Sequence, residues 1–181
     1  GGTRRGLATD RRQQGAGTPS WTQHPRERDT ASARAFVGLS MHAATEAEAR
    51  RGALDDARTQ IVESMGVHVL RELNQLIVNA GSSSNLLDPD VISADLTAAV
   101  SEGDVAAWAD DYHTEKWERV TQAGIEYYYK VYVVVLVPRK VAGSTVRDVM
   151  EKSISSYDDS EDKTALERAL EAVDEMSDDD W

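Results

Sequence analysis

Between Ile125 and Pro138 the chain reads Ile-Glu-Tyr-Tyr-Tyr-Lys-Val-Tyr-Val-Val-Val-Leu-Val-Pro, a run of β-branched and aromatic side chains that suits a pleated, packed surface. Both alternating sets are apolar: Ile125, Tyr127, Tyr129, Val131, Val133, Val135 and Val137 fall on one, and Tyr128, Tyr132, Val134 and Leu136 on the other. This pattern predicts a central strand covered on both faces. One cover is a helix. The other is either a second copy of the chain or the chain's own later helices, because an antiparallel strand with one wet face would alternate with polar residues.

Upstream, Val37, Leu39 and Met41 alternate with Phe36, Gly38 and Ser40, which predicts a strand over Arg34 to Met41. Thr45 followed by Glu48 forms a capping box at a helix start. Leu54, Ala57, Ile61, Met65, Val69, Leu73 and Leu76 then recur at three- and four-residue spacing up to Ala80, and Gly81-Ser82-Ser83-Ser84 ends the stripe. Such a helix is roughly 50 Å long, more than a small sheet can cover. Its second half, with Val67, Leu70 and Ile77 apolar beside the stripe, therefore needs another partner. Gly52, Ala53 and Ala57 let its first half approach the sheet closely. Asp88-Pro89 starts a short helix through Val91, Leu96 and Val100 that Gly103 ends, and Tyr112 to Thr121 is a strand turning at Gly124 into the central one. After Pro138, Ser144-Thr145 with Asp148 marks a further helix start, carrying Val146, Val149, Met150 and Ile154. A last helix, Glu161 to Met176, has Leu166, Leu170 and Val173 on one side.

The fold class predicted is α+β: a long helix packed on a small antiparallel sheet in the order β-α-β-β, with additional C-terminal helices. Residues 1–29 form a basic N-terminal arm, 30–141 the α+β domain and 142–181 a helical, acidic C-terminal extension. Residues 1–20 have almost no apolar content, which predicts a flexible or partner-ordered segment.

Charge sharpens that division. The 181 residues carry a net charge of -12, which disfavours nucleic acid and anionic lipid as general partners. Yet Gly1 to Arg28 hold six arginines against Asp10 and Glu27, a local +4, whereas Asp158 to Trp181 hold eleven carboxylates against Lys163 and Arg168, a local -9. These blocks are solvated tails or pair with each other within or between chains. No apolar run of 18 residues is present, the opening Gly-Gly-Thr-Arg-Arg is not a signal-peptide core, and the absence of cysteine removes disulfides and thiolate chemistry.

Candidate chemistry is sparse. His24, His42, His68 and His113 lack the spacing that sets two ligands on one helical face. Asp88-Pro89-Asp90 and Asp110-Asp111 do not follow a calcium-loop pattern, and neither a phosphate-cradling glycine run nor Gly-x-Ser-x-Gly occurs. No catalytic, cofactor-binding or metal residue is assigned, and the chain reads as a non-enzyme. Tyr127, Tyr128, Tyr129 and Tyr132, with Trp21, Trp108 and Trp117, could stack on a sugar or flat ligand, although subunit packing accounts for aromatics on both strand faces more simply. The interface expected between copies of the chain comprises Trp21, Tyr128, Tyr132, Val134, Leu136 and the terminal Trp181, the last as an anchor for a neighbour's pocket.

Trp21 and Pro25 ahead of Ala35-Phe36-Val37-Gly38, an alanine-rich helix with Glu48-Ala49-Arg50 and Asp56-Ala57-Arg58, and Tyr128-Tyr129-Lys130-Val131-Tyr132-Val133 running to Pro138 together resemble the LPP-twenty family over residues 21 to 140. These are small bacterial outer-membrane lipoproteins, among them a flagellar one. The resemblance implies a dodecin-like helix across a small sheet, no catalytic residues, self-assembly into rings or discs, other outer-membrane or flagellar components as partners, and a location at the outer membrane or cell surface. Family members carry a lipidated N-terminal cysteine, so the resemblance further implies that this sequence starts just after it. The acidic end beyond Ser155 is not a feature of the family.

Overall fold

The computed structural model describes residues 9–14, 16–81, 87–103, 107–156 and 163–176. Four strands, β1 (Thr9–Gln14), β2 (Ala33–Ala43), β3 (Trp108–Thr121) and β4 (Gly124–Pro138), form an antiparallel sheet in the order β1-β3-β4-β2. Four helices, α1 (Glu46–Asn79), α2 (Pro89–Glu102), α3 (Arg139–Ser155) and α4 (Lys163–Asp174), complete the α+β fold, with α1 packed on the sheet. The chain divides into two compact units. A sheet unit holds Gly1–Asp29, Ala35–Ala57 and Ala109–Leu136; a helical unit holds Thr30–Arg34, Arg58–Trp108 and Val137–Trp181.

Local chemistry accounts for the element ends. The Thr45 hydroxyl accepts from the Glu48 amide at 3.2 Å, which gives α1 the cap the sequence predicts. Asp88 caps α2 by accepting from the Asp90 amide at 3.0 Å, Pro89 opens it, and Gly103 closes it at φ 83°, a left-handed conformation that costs glycine little. Gly81, at φ 93°, lies just past α1, whereas Ser82, Ser83 and Ser84 lie outside the described residues. The α3 start differs from expectation. The helix begins at Arg139, whose amide donates to the Ser32 carbonyl at 2.9 Å, and Thr145 is buried within it instead of opening it.

Buried positions on α1 run Ala49, Ala53, Ala57, Ile61, Met65, Val69, Leu73 and Ile77, a strict four-residue repeat. Because a helix turns every 3.6 residues, the buried line rotates about 40° at each step. For that reason Ile77 is buried where the sequence stripe pointed to the half-buried Leu76. In the sheet unit the small Ala49, Ala53 and Ala57 bring α1 against β2 so closely that a Cβ on Gly38 would sit 1.9 Å from the Ala53 carbonyl oxygen. In the helical unit the larger Ile61 to Ile77 belong to a core with Ile92, Leu96 and Val100 of α2 and Val146, Val149, Met150 and Ile154 of α3. Leu166, Ala169 and Val173 are the buried stripe of α4, which packs on α3.

Of residues 1–20, expected to be flexible or partner-ordered, residues 1–8 and 15 lie outside the described residues, and the others depart from that expectation. Thr9–Gln14 is an edge strand paired with β3 in the register Asp10 to Arg119, Arg11 to Glu118 and Arg12 to Trp117, and residues after it form two short 3-10 turns, Ser20–Thr22 and Pro25–Arg28. A six-residue strand without apolar side chains is stable here because the β3 edge supplies its backbone partners and opposite charges across the ladder set the register.

Candidate functional site

The sheet unit concentrates the polar and aromatic chemistry. Odd-numbered β3 residues and even-numbered β4 residues share one sheet face, as the Trp117–Tyr128 stack (centroids 6.3 Å apart, planes 11° apart) and the His113–Tyr132 contact establish. Its lower half is closed by the chain's own N-terminal segment. Thr18 donates to Glu115 at 2.9 Å, Arg28 bonds Asp110 and Asp111 at 3.2 and 3.1 Å, and Trp21 is buried with the Arg28 guanidinium 5.7 Å from its ring centre. Around Glu115 the arm itself is therefore a cover of this face.

Glu115 is the centre of this cover. It is 2 % exposed and takes hydrogen bonds from Trp117 Nε1 at 2.9 Å and Thr18, with His113 Nε2 at 3.2 Å and an Arg12 ion pair at 3.4 Å. Burial raises its pKa, but the bonds from Trp117, Thr18 and His113 and the Arg12 charge outweigh burial and hold it below the usual value of 4.5. Every bond to the carboxylate comes from a donor that also fixes chain geometry, so this knot fastens the arm to the sheet.

Toward the hairpin turn the same face stays half open. The His42 ring meets the Tyr128 ring edge-on at 4.4 Å, Arg119 sits 5.5 Å over Tyr128, and Arg119 pairs with Asp10 at 2.8 Å. His42 reaches this face because its φ of 61° breaks the alternation that points Gly38 and Ser40 at α1. Asp10 is acidified first by its hydrogen bond from Arg119, which burial only partly opposes.

The opposite face carries the contact with α1. Arg50 lies 4.8 Å from the Tyr112 ring centre and Thr114 donates to Glu46. Within the sheet unit α1 supplies only Glu46–Ala57, about 18 Å of helix, against strands of 14 and 15 residues that extend about 50 Å. Beyond the helix start Val120 (47 % exposed), Ile125 (58 %) and Tyr127 (53 %) are bare, and Lys116 lies 4.9 Å from the Tyr127 ring centre. Met41 of β2 is exposed as well.

The residues expected at an interface between copies separate into three groups. Trp21, Val134 and Leu136 are buried within the single chain and present no surface to a neighbour in this conformation. Tyr128 and Tyr132 are half-buried on the aromatic face, and Trp181 lies outside the described residues. What the residue pattern missed is the bare group around Val120, Ile125 and Tyr127. The available signal was position: Val120 and Ile125 flank the turn, at the end farthest from Val131 to Val137, where the helix packs.

In the helical unit an open groove of about 700 Å³ lies between α2 and α3, lined by Asp95, Glu102, Lys140, Thr145, Asp148 and Lys152 among others, with Lys152 paired to Asp95 at 2.7 Å. Its charges are of both signs, and no group converges on a common point. Among the described residues no group of three potential metal ligands occurs, and no helix is long and apolar enough to cross a membrane. Compared with protein-family models, curated proteins and solved structures, the chain matches none.

Proposed function

We propose that this chain is a structural protein that associates with copies of itself, repeating side by side into a ring, disc or tube at a bacterial outer membrane or cell surface. The bare face of the β3–β4 hairpin carries the reading: Val120, Ile125 and Tyr127 are each about half exposed on one face, where a sheet ordinarily places polar residues. The outer-membrane setting rests on the resemblance to the LPP-twenty family, whose members would also supply flagellar or other envelope partners. Association would draw on apolar burial, with the arm's charges setting orientation. In the double variant Ile125→Asp/Tyr127→Asp the mass in solution should fall toward that of a single chain with the fold intact. An unchanged mass would remove the hairpin face from the interface.

A second reading has its own observation, the half-open Trp117, Tyr128 and His42 group with Arg119 beside it, which suits a glycan, peptide or small aromatic ligand. Saturable binding by a single chain, lost on Trp117→Ala, would favour it.

A further inference from the structure

The hairpin face is too small to hold copies together alone. Val120, Ile125 and Tyr127 leave on the order of 300 Å² uncovered, against about 800 Å² that each partner buries in a stable interface. Additional contact must come from elsewhere, and the two edges of the sheet differ in what they can accept. The β2 edge is guarded: the Ala33 amide donates to Thr30 Oγ1 at 3.0 Å, the Ala35 amide to Asp29 at 2.7 Å and the Leu39 amide to Asp56 at 2.8 Å. Amides occupied by side chains cannot receive an incoming strand.

The other edge strand is β1, which lies on β3 and has no hold in the apolar core. β1 reads Thr-Asp-Arg-Arg-Gln-Gln, contributes no residue to the apolar core, and breaks register between Arg12 and Gln14. Its side-chain ties to β3 include the Asp10–Arg119 pair, the Gln13–Glu118 bond at 2.7 Å, the Arg12–Glu115 pair and the Arg12–His113 contact at 3.3 Å. Two of these are exposed and contribute little to stability, and β1 adds no apolar burial, so its anchor is the Arg12 pair with the buried Glu115, which a strand lying on β3 from either chain must make.

We propose that β1 is donated: each copy places its Thr9–Gln14 on β3 of the next copy, so that the Arg12 paired with a given Glu115 comes from the neighbour. This rests on the self-association reading above and adds the contact that the hairpin face lacks. A donated strand makes the same ladder and the same ion pairs as a retained one, so exchange loses no bonding, while each chain becomes threaded to its neighbour. One-way donation is a head-to-tail contact, and such contacts close into rings or run on as tubes.

The chain has no cysteine, which makes the strand pairing directly readable. Arg11 and Glu118 lie opposite each other across the β1–β3 ladder, within the spacing a disulfide bridges. The full chain carrying both Arg11→Cys and Glu118→Cys, oxidised after assembly and run on a denaturing gel without reductant, should give a ladder of covalent dimers, trimers and higher multiples of 19.9 kDa. Each single variant can give at most a dimer, so a longer ladder requires both positions. Circular dichroism checks that the variants fold, and the pair Asp10→Cys/Arg119→Cys repeats the reading one residue along. A single cross-linked monomer band from protein whose mass before oxidation is a multiple of 19.9 kDa would overturn donation and leave self-association standing. A wild-type mass of one chain would overturn both.

Discussion

Replacing Gly38 by alanine tests the contact that sets the distance between helix and sheet. A Cβ at this position would lie 1.9 Å from the Ala53 carbonyl oxygen, 2.6 Å from the Ala57 amide nitrogen and 2.8 Å from the Ala57 Cβ. Two of the three obstacles are helix backbone, so no side-chain rotation relieves them; β2 or α1 must move by an ångström or more. Overpacking of this kind costs about 3 kcal/mol, the upper end of the usual range. Alanine's smaller unfolded-state entropy returns about 0.5–1 kcal/mol. The net loss is about 2 kcal/mol, which for a chain of this length lowers Tm by about 4–8 °C. Thermal melts followed by circular dichroism supply the measurement, with two comparisons. Gly52→Ala meets chiefly the Ser40 hydroxyl at 2.8 Å, which can turn away, and should lose less than half as much. Gly17→Ala meets nothing within 4 Å and should lose nothing. A Gly38→Ala melt within error of wild type would refute the close approach of α1 to β2.

Other perturbations separate stability from association. Val134→Asp places a charge at a position 0 % exposed in the single chain, so it should unfold the sheet unit and abolish its cooperative melt, whereas Ile125→Asp should leave the melt in place and reduce only the mass in solution. Glu115→Gln turns an acceptor of several bonds into a group facing its own donors, at a cost of about 1.5–3 kcal/mol; limited trypsin cleavage at Arg12, Arg26 and Arg28 should then accelerate roughly tenfold or more. Acid should act oppositely on the two units. Glu115 has its pKa lowered in the fold, so the stability it gives is complete above 4.5, the ordinary glutamate value, and disappears as pH falls through its lower folded value. Glu151 of α3 has its pKa raised, first by its hydrogen bond with Asp174 of α4 and then by burial and the charges of Asp174 and Asp148. Its contribution is complete below 4.5 and is lost as pH rises through the folded value. Amide exchange between pH 3 and 6 should show the arm loosening toward acid while α4 tightens; parallel changes in both would contradict the assignment.

The elements that were legible in the sequence are those with a local cause. Thr45 and Glu48, Asp88-Pro89 and Gly103 carry their helix ends in their own chemistry, and β4 announces itself through β-branched residues. The α+β class follows from these. Three features had no local signal. β1 is polar throughout, and only the β3 edge and its matching charges make it a strand. The α3 start depends on the Ser32 carbonyl, far away in the chain, so a nearer serine-threonine pair looked like the cap. The cover over Glu115 is a long-range assembly of Thr18, Trp21 and Arg28 that no periodicity encodes. The candidate interface moved for a related reason: Val134 and Leu136 are buried within the single chain, and the bare group lies instead where the hairpin runs on past the start of α1.

Light scattering on the full chain after size exclusion, run beside the Ile125→Asp/Tyr127→Asp variant, tests self-association most directly. The account predicts a wild-type mass that is a discrete multiple of 19.9 kDa and a variant mass that falls toward 19.9 kDa with its circular dichroism unchanged. A wild-type chain that stays at 19.9 kDa across the concentration range would contradict it, and the half-open Trp117–Tyr128 face would then become the surface to screen for ligands.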